Sequence, residues 1–75
     1  MPRVDAITLK LDEAGTARAD VVIDGVAYRD LILRRHRNRT YVSWPRSTKL
    51  ARSTRRRLEP KISRAFDQWR DLAGG

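Results

Sequence analysis

A chain of 75 residues has room for one small domain, and at this size folding buries only about 60% of the extended-chain surface, so a second subunit is the expected aid to stability. With no cysteine, one histidine and no apolar run near the about 20 residues of a membrane span, the composition excludes disulfide staples, leaves no basis for a zinc site or other cofactor, and predicts a soluble, cytoplasmic protein without membrane contact. The net charge of +8 is segregated, because residues 34–64 hold twelve basic residues against one acid, Glu59, whereas the rest of the chain is slightly acidic; such a local field suits a polyanion better than it suits an evenly solvated surface.

The first element is a strand over residues 4–12, where Ile7, Leu9 and Leu11 alternate with Thr8 and Lys10. After the turn DEAG, a second alternating run carries Ala17, Ala19, Val21 and Ile23 into Asp24-Gly25, a strong two-residue hairpin signal because both turn positions tolerate positive φ. The third strand is expected over residues 26–35. Its centre, Leu31-Ile32-Leu33, is apolar on both faces, which predicts that the terminal helix covers one face and a second copy the other, giving a homodimer through the sheet. RHRNR then breaks the run, with Asn38 suited to a left-handed turn, and TYVSW returns as a fourth strand ending at Pro45.

The last segment changes period. Leu58, Ile62, Ala65, Phe66, Trp69, Leu72 and Ala73 share one face of a helix, with Ser53 or Thr54 as its cap and Gly74-Gly75 as its stop. Pro60 is discordant, since proline in a helix interior costs about 3 kcal/mol, so the helix either begins near Glu59 or kinks there. A start near Glu59, with residues 54–58 as an irregular approach, is the expectation. Trp44, Trp69, Tyr28 and Phe66 are assigned to the core. Residues 1–75 thus form a single α+β domain, a four-stranded antiparallel sheet followed by one C-terminal amphipathic helix.

Across residues 18–69, the motifs DLIL (Asp30 to Leu33), YVSWPR (Tyr41 to Arg46) and STRRRL (Ser53 to Leu58), leading into an aromatic-bearing helix, resemble the SpoVG-type septation regulators. The resemblance implies a small sheet with one helix, dimerisation through the sheet, and a bacterial or phage regulator that binds DNA or RNA. It also implies that the arginines at the helix start, here Arg55, Arg56 and Arg57, touch nucleic acid. The connection from Pro45 to Ser53 is shorter than in that family, and Pro60 falls where the family helix is regular.

Two basic groups are candidate contacts. Arg46, Lys49, Arg52, Arg55, Arg56, Arg57 and Lys61 surround the helix start, where backbone N–H groups also favour phosphate. Arg34, Arg35, Arg37 and Arg39 mark the hairpin tip, a ribbon narrow enough for a major groove, or else a plain exposed turn. Arginine outnumbers lysine ten to two in residues 34–64, which favours bidentate phosphate or guanine contacts. Tyr41 and Trp44 are candidates for stacking on unpaired bases, but their opposite parity puts them on different faces. No catalytic constellation is visible: His36 has no neighbouring carboxylate to orient it, and Asp20, Asp24 and Asp30 would need a pocket that a chain this small barely provides. Asp30 is expected to pair with an arginine. Two function classes follow, a dimeric nucleic-acid-binding regulator and a protein-binding module or inhibitor whose basic face docks on an acidic partner.

Overall fold

The computed structural model describes residues 3–74, with side chains through Leu72. Strands β1 (Val4–Leu11), β2 (Ala17–Ile23), β3 (Val26–His36) and β4 (Arg39–Ser43) form one antiparallel sheet in sequential order, and the helix α1 (Arg52–Gly74) follows, an α+β fold. Each alternating run becomes a strand because one parity of side chains can be buried together. Ala17, Ala19, Val21 and Ile23 of β2 join Leu31 and Leu33 of β3 beneath Leu58, Ile62 and Phe66 of α1, all of them buried. Ile7, Leu9, Tyr28, Val42, Trp44 and Trp69 pack around this centre. No helix among the described residues is long and apolar enough to cross a membrane.

Polar side chains and left-handed backbone close the turns. The Asp12 carboxylate accepts the N–H groups of Ala14 and Thr16 at 3.0 and 2.9 Å and Arg18 Nε at 2.8 Å. The Arg18 hydrogen bond, reinforced by the Thr16 N–H, holds the Asp12 carboxyl below its ordinary value of 3.8. Between β2 and β3, Asp24 and Gly25 both have positive φ (50° and 80°), the geometry of the tight hairpin, and Asp5 accepts the Gly25 N–H at 2.9 Å. Between β3 and β4 the two turn residues are Arg37 and Asn38, again both left-handed at 51° and 65°.

Asp30, expected to pair with an arginine, makes no direct ion pair among the described residues, although its charge reaches Arg18. It is the extra residue of a β-bulge, since Ala19 faces Leu31 while Val21 faces Tyr28, leaving Arg29 and Asp30 together opposite Asp20. Asp30 takes the left-handed conformation (φ 62°), and its N–H donates to the Asp20 carboxylate at 3.1 Å.

Leu31-Ile32-Leu33 is covered by α1 on one side only. Ile32 lies half-buried on the opposite face, in register with Arg18 and Ser43, so its surroundings within the monomer are polar.

The helix corrects three expectations. It starts at Arg52 and not near Glu59, carrying Pro60 in its interior. Leu58, Ile62 and Phe66 stand at i, i+4 and i+8, so a helix beginning at Glu59 would lose the regular placement of Leu58, whose burial stabilises by about 1.5–3 kcal/mol. Together with the hydrogen bonds of the first turns, that offsets the proline penalty. The cap is Ala51, whose carbonyl accepts the Arg55 N–H at 2.9 Å, which places Ser53 and Thr54 inside the helix instead. The apolar stripe ends at Trp69, because Leu72 is 86% exposed; the side chain of Ala73 and the whole of Gly75 lie outside the described residues.

Candidate nucleic-acid interface

Two contacts from α1 to β4 fix where the basic groups sit. Trp44 Nε1 donates to Glu59 at 3.1 Å, and Thr40 Oγ1 donates to Asp67 at 2.9 Å. Glu59 to Asp67 spans about 12 Å of helix and Thr40 to Trp44 about 13 Å of strand, so α1 runs antiparallel to β4 with matched lengths. The helix start therefore lies at the Pro45 end of the sheet. The Arg37-Asn38 turn lies at the other end, and the two basic groups are separate patches.

At the helix start, Arg46, Lys49, Arg52, Arg56, Arg57 and Lys61 are exposed. Arg55 is half-buried, with its Nε sealed from solvent and no acceptor among the described residues. It is thus the least available member of the Arg55-Arg56-Arg57 run. Arg64 was not among the sequence candidates, yet it is exposed and continues the line of Arg57 and Lys61 at i+7. Its signal was that spacing, readable only once the helix begins before Arg57.

The lone acid of the basic segment does not neutralise it. Glu59 is half-buried against Trp44, and among the described residues the four ion pairs are Arg3–Asp5, Lys10–Asp20, Arg18–Asp12 and Arg35–Asp67. None involves residues 46–64. The first turn of α1 carries no acid and the last no base, so the charges oppose the helix macrodipole instead of complementing it. Neighbouring cations with neither internal partners nor a favourable dipole are poised for external anions.

The hairpin tip divides by strand parity. Arg35 shares the parity of Leu33, faces α1, and pairs with Asp67 at 3.8 Å. Arg34 and Arg39 fall on the opposite, open face of the sheet, and Arg37 occupies the turn itself. The four tip arginines accordingly do not form one reading edge. Trp44 belongs to the core side, stacked edge-on to Tyr28 with centroids 6.3 Å apart, whereas Tyr41 stands on the open face.

An apolar opening of about 730 Å³ lies between the C-terminal half of α1 and the β1–β2 turn, lined by Leu11, Thr16, Phe66 and Trp69 and edged by Arg34, Arg35 and Arg70. Arg70 lies over the Phe66 ring, 5.7 Å from its centroid. Among the described residues no group of three or more His, Cys, Asp or Glu side chains is placed to hold a metal ion. Compared with protein families, curated proteins and solved structures, the chain matches none.

Proposed function

We propose that the protein is a small nucleic-acid-binding regulator, cytoplasmic and without enzymatic activity, that holds the phosphate backbone through the arginines at the start of α1. The observation that carries this reading is the unneutralised group formed by Arg46, Lys49, Arg52, Arg56, Arg57, Lys61 and Arg64, in which the one acid within residues 46–64, Glu59, is bonded to Trp44 and the next, Asp67, to Thr40. The arginine-rich tip at Arg34, Arg37 and Arg39 adds a second contact, and the resemblance of DLIL, YVSWPR and STRRRL to the SpoVG-type regulators points the same way. Such contacts act by releasing condensed counterions and carry little sequence information.

The test is the salt dependence of binding to duplex DNA. Replacing Arg52, Arg56 and Arg57 together by alanine should flatten the slope of log affinity against log salt by about 2–3 units, at about 0.9 for each phosphate no longer neutralised. A folded triple variant with the parent slope would remove the assignment.

A homodimer belongs to the same proposal. The charged and polar surroundings of Ile32 disfavour stacking two copies face to face, so we place the contact at a sheet edge. β1 suits it better than β4, being eight residues long with Lys10 as its only cation. Light scattering should return twice the chain mass of 8.7 kDa; monomer mass would sink the dimer.

The second reading, a protein-binding module, draws on the opening beside Phe66 and Trp69. Its apolar lining and its three arginines suit a partner presenting an apolar side chain flanked by carboxylates. Nucleic acid that co-purifies and is released by high salt favours the first reading. A clean preparation that does not shift DNA or RNA favours the second.

A further inference from the structure

The face of the sheet turned away from α1 has two unlike halves. On the β1–β2 half each cation has a carboxylate partner, Lys10 with Asp20 at 3.8 Å and Arg18 with Asp12 at 2.8 Å. On the other half, where β3 is in register with β4, the outward residues are Ile32, Arg34, His36, Arg39, Tyr41 and Ser43, none of them acidic; Asp30 lies further along β3, beside Asp20. Tyr41 lies at the centre of that half. It sits directly opposite Arg34, with Arg39 and Ser43 two residues away on its own strand, and it is 47% exposed. The other aromatic of the same strand region, Trp44, is turned inward and bonded to Glu59.

An exposed ring on a sheet, next to two cations that form no ion pair among the described residues, is complementary to an anionic polymer that also presents flat unsaturated faces. Single-stranded nucleic acid has both features. In a duplex the base faces are already stacked and out of reach, so Tyr41 can add affinity only where bases are unpaired. Charge also confines the path of the strand: the paired β1–β2 half offers no net attraction, while Arg34 and Arg39 flank the ring on the other.

We propose, building on the nucleic-acid reading above, that the open β3–β4 face is a platform for single-stranded nucleic acid. Tyr41 stacks on one base, and Arg34 and Arg39 hold the adjoining phosphates. This surface is distinct from the arginines of α1, which meet backbone phosphate in either polymer form.

The experiment compares anisotropy titrations of a short mixed-sequence oligonucleotide as a single strand and as a duplex. Tyr41→Thr keeps a strand-compatible side chain and should weaken single-strand binding about 5- to 150-fold, the range set by the loss of one base stack. Duplex binding by the same variant should stay close to the parent, and Tyr41→Trp should retain single-strand affinity. A folded Tyr41→Thr variant with undiminished single-strand affinity, or with single-strand and duplex affinity reduced alike, overturns the platform. If the parent binds neither polymer, the nucleic-acid reading fails and the platform with it. If single-strand affinity is undiminished in Tyr41→Thr but falls in the Arg52, Arg56, Arg57 variant, the platform alone is overturned.

Discussion

Arg37 holds a left-handed backbone conformation that costs a residue with a Cβ about 1–2 kcal/mol, in a turn where an Asn-Gly pair would be relaxed. What it supplies instead is a guanidinium at the end of the hairpin. Asp12 shows the opposite economy, one carboxylate serving two backbone N–H groups and Arg18 at once. Its lowered pKa sets the sign of a pH effect. The stabilisation is complete above the unfolded value of about 3.8 and is lost as the pH falls through the lower folded value. The melting temperature of Asp12→Asn should therefore lie below that of the parent at neutral pH, and the gap should narrow in strong acid. A gap that is constant with pH would mean that the charge of Asp12 contributes nothing. At this scale the sequence was legible where chemistry is local: DEAG, Asp24-Gly25 and Asn38 marked their turns. The bulge at Asp30 was not legible, because an acidic residue in a strand looks alike whether it faces an arginine or kinks the ladder.

The strands were readable as elements because alternation is itself the cause of their burial. The start of α1 was not. Pro60 is a local penalty, and the gain that offsets it, Leu58 joining the buried cluster formed with β2 and β3, appears only when helix and sheet are together. The far end of the stripe misleads for a related reason, since helical spacing continues to Leu72 after Trp69 has passed the last packed position. Pro60 is exposed, so Pro60→Ala restores a helical hydrogen bond without disturbing the core and should stabilise by up to about 3 kcal/mol in chemical denaturation. No gain would mean that the helix is already adapted to the ring.

For the molecule as a whole, the segregation of charge was evident in the sequence, and so were most members of the basic patch. What composition withheld was their grouping: Arg34 and Arg35 are adjacent in the chain yet serve opposite faces, and Glu59, counted as a neutraliser, is held by Trp44. The unpaired cations of α1 also repel one another in the free protein, and repulsion between exposed charges is screened by salt. Melting temperature in the absence of nucleic acid should consequently rise from low to moderate sodium chloride, and the rise should shrink in the Arg52, Arg56, Arg57 to alanine variant. An equal rise in both would place the repulsion elsewhere.

On the proposed function, the reversed polarity of α1, cations at its start and Asp71 near its end, would make a polyanion a folding ligand as well as a target. Any multivalent anion that binds the native chain selectively raises its stability by mass action, about 2.7 kcal/mol at a hundredfold excess over Kd. In a cell rich in RNA, the abundance of the folded protein would then track how much nucleic acid is free to hold it, so that occupancy and lifetime rise and fall together.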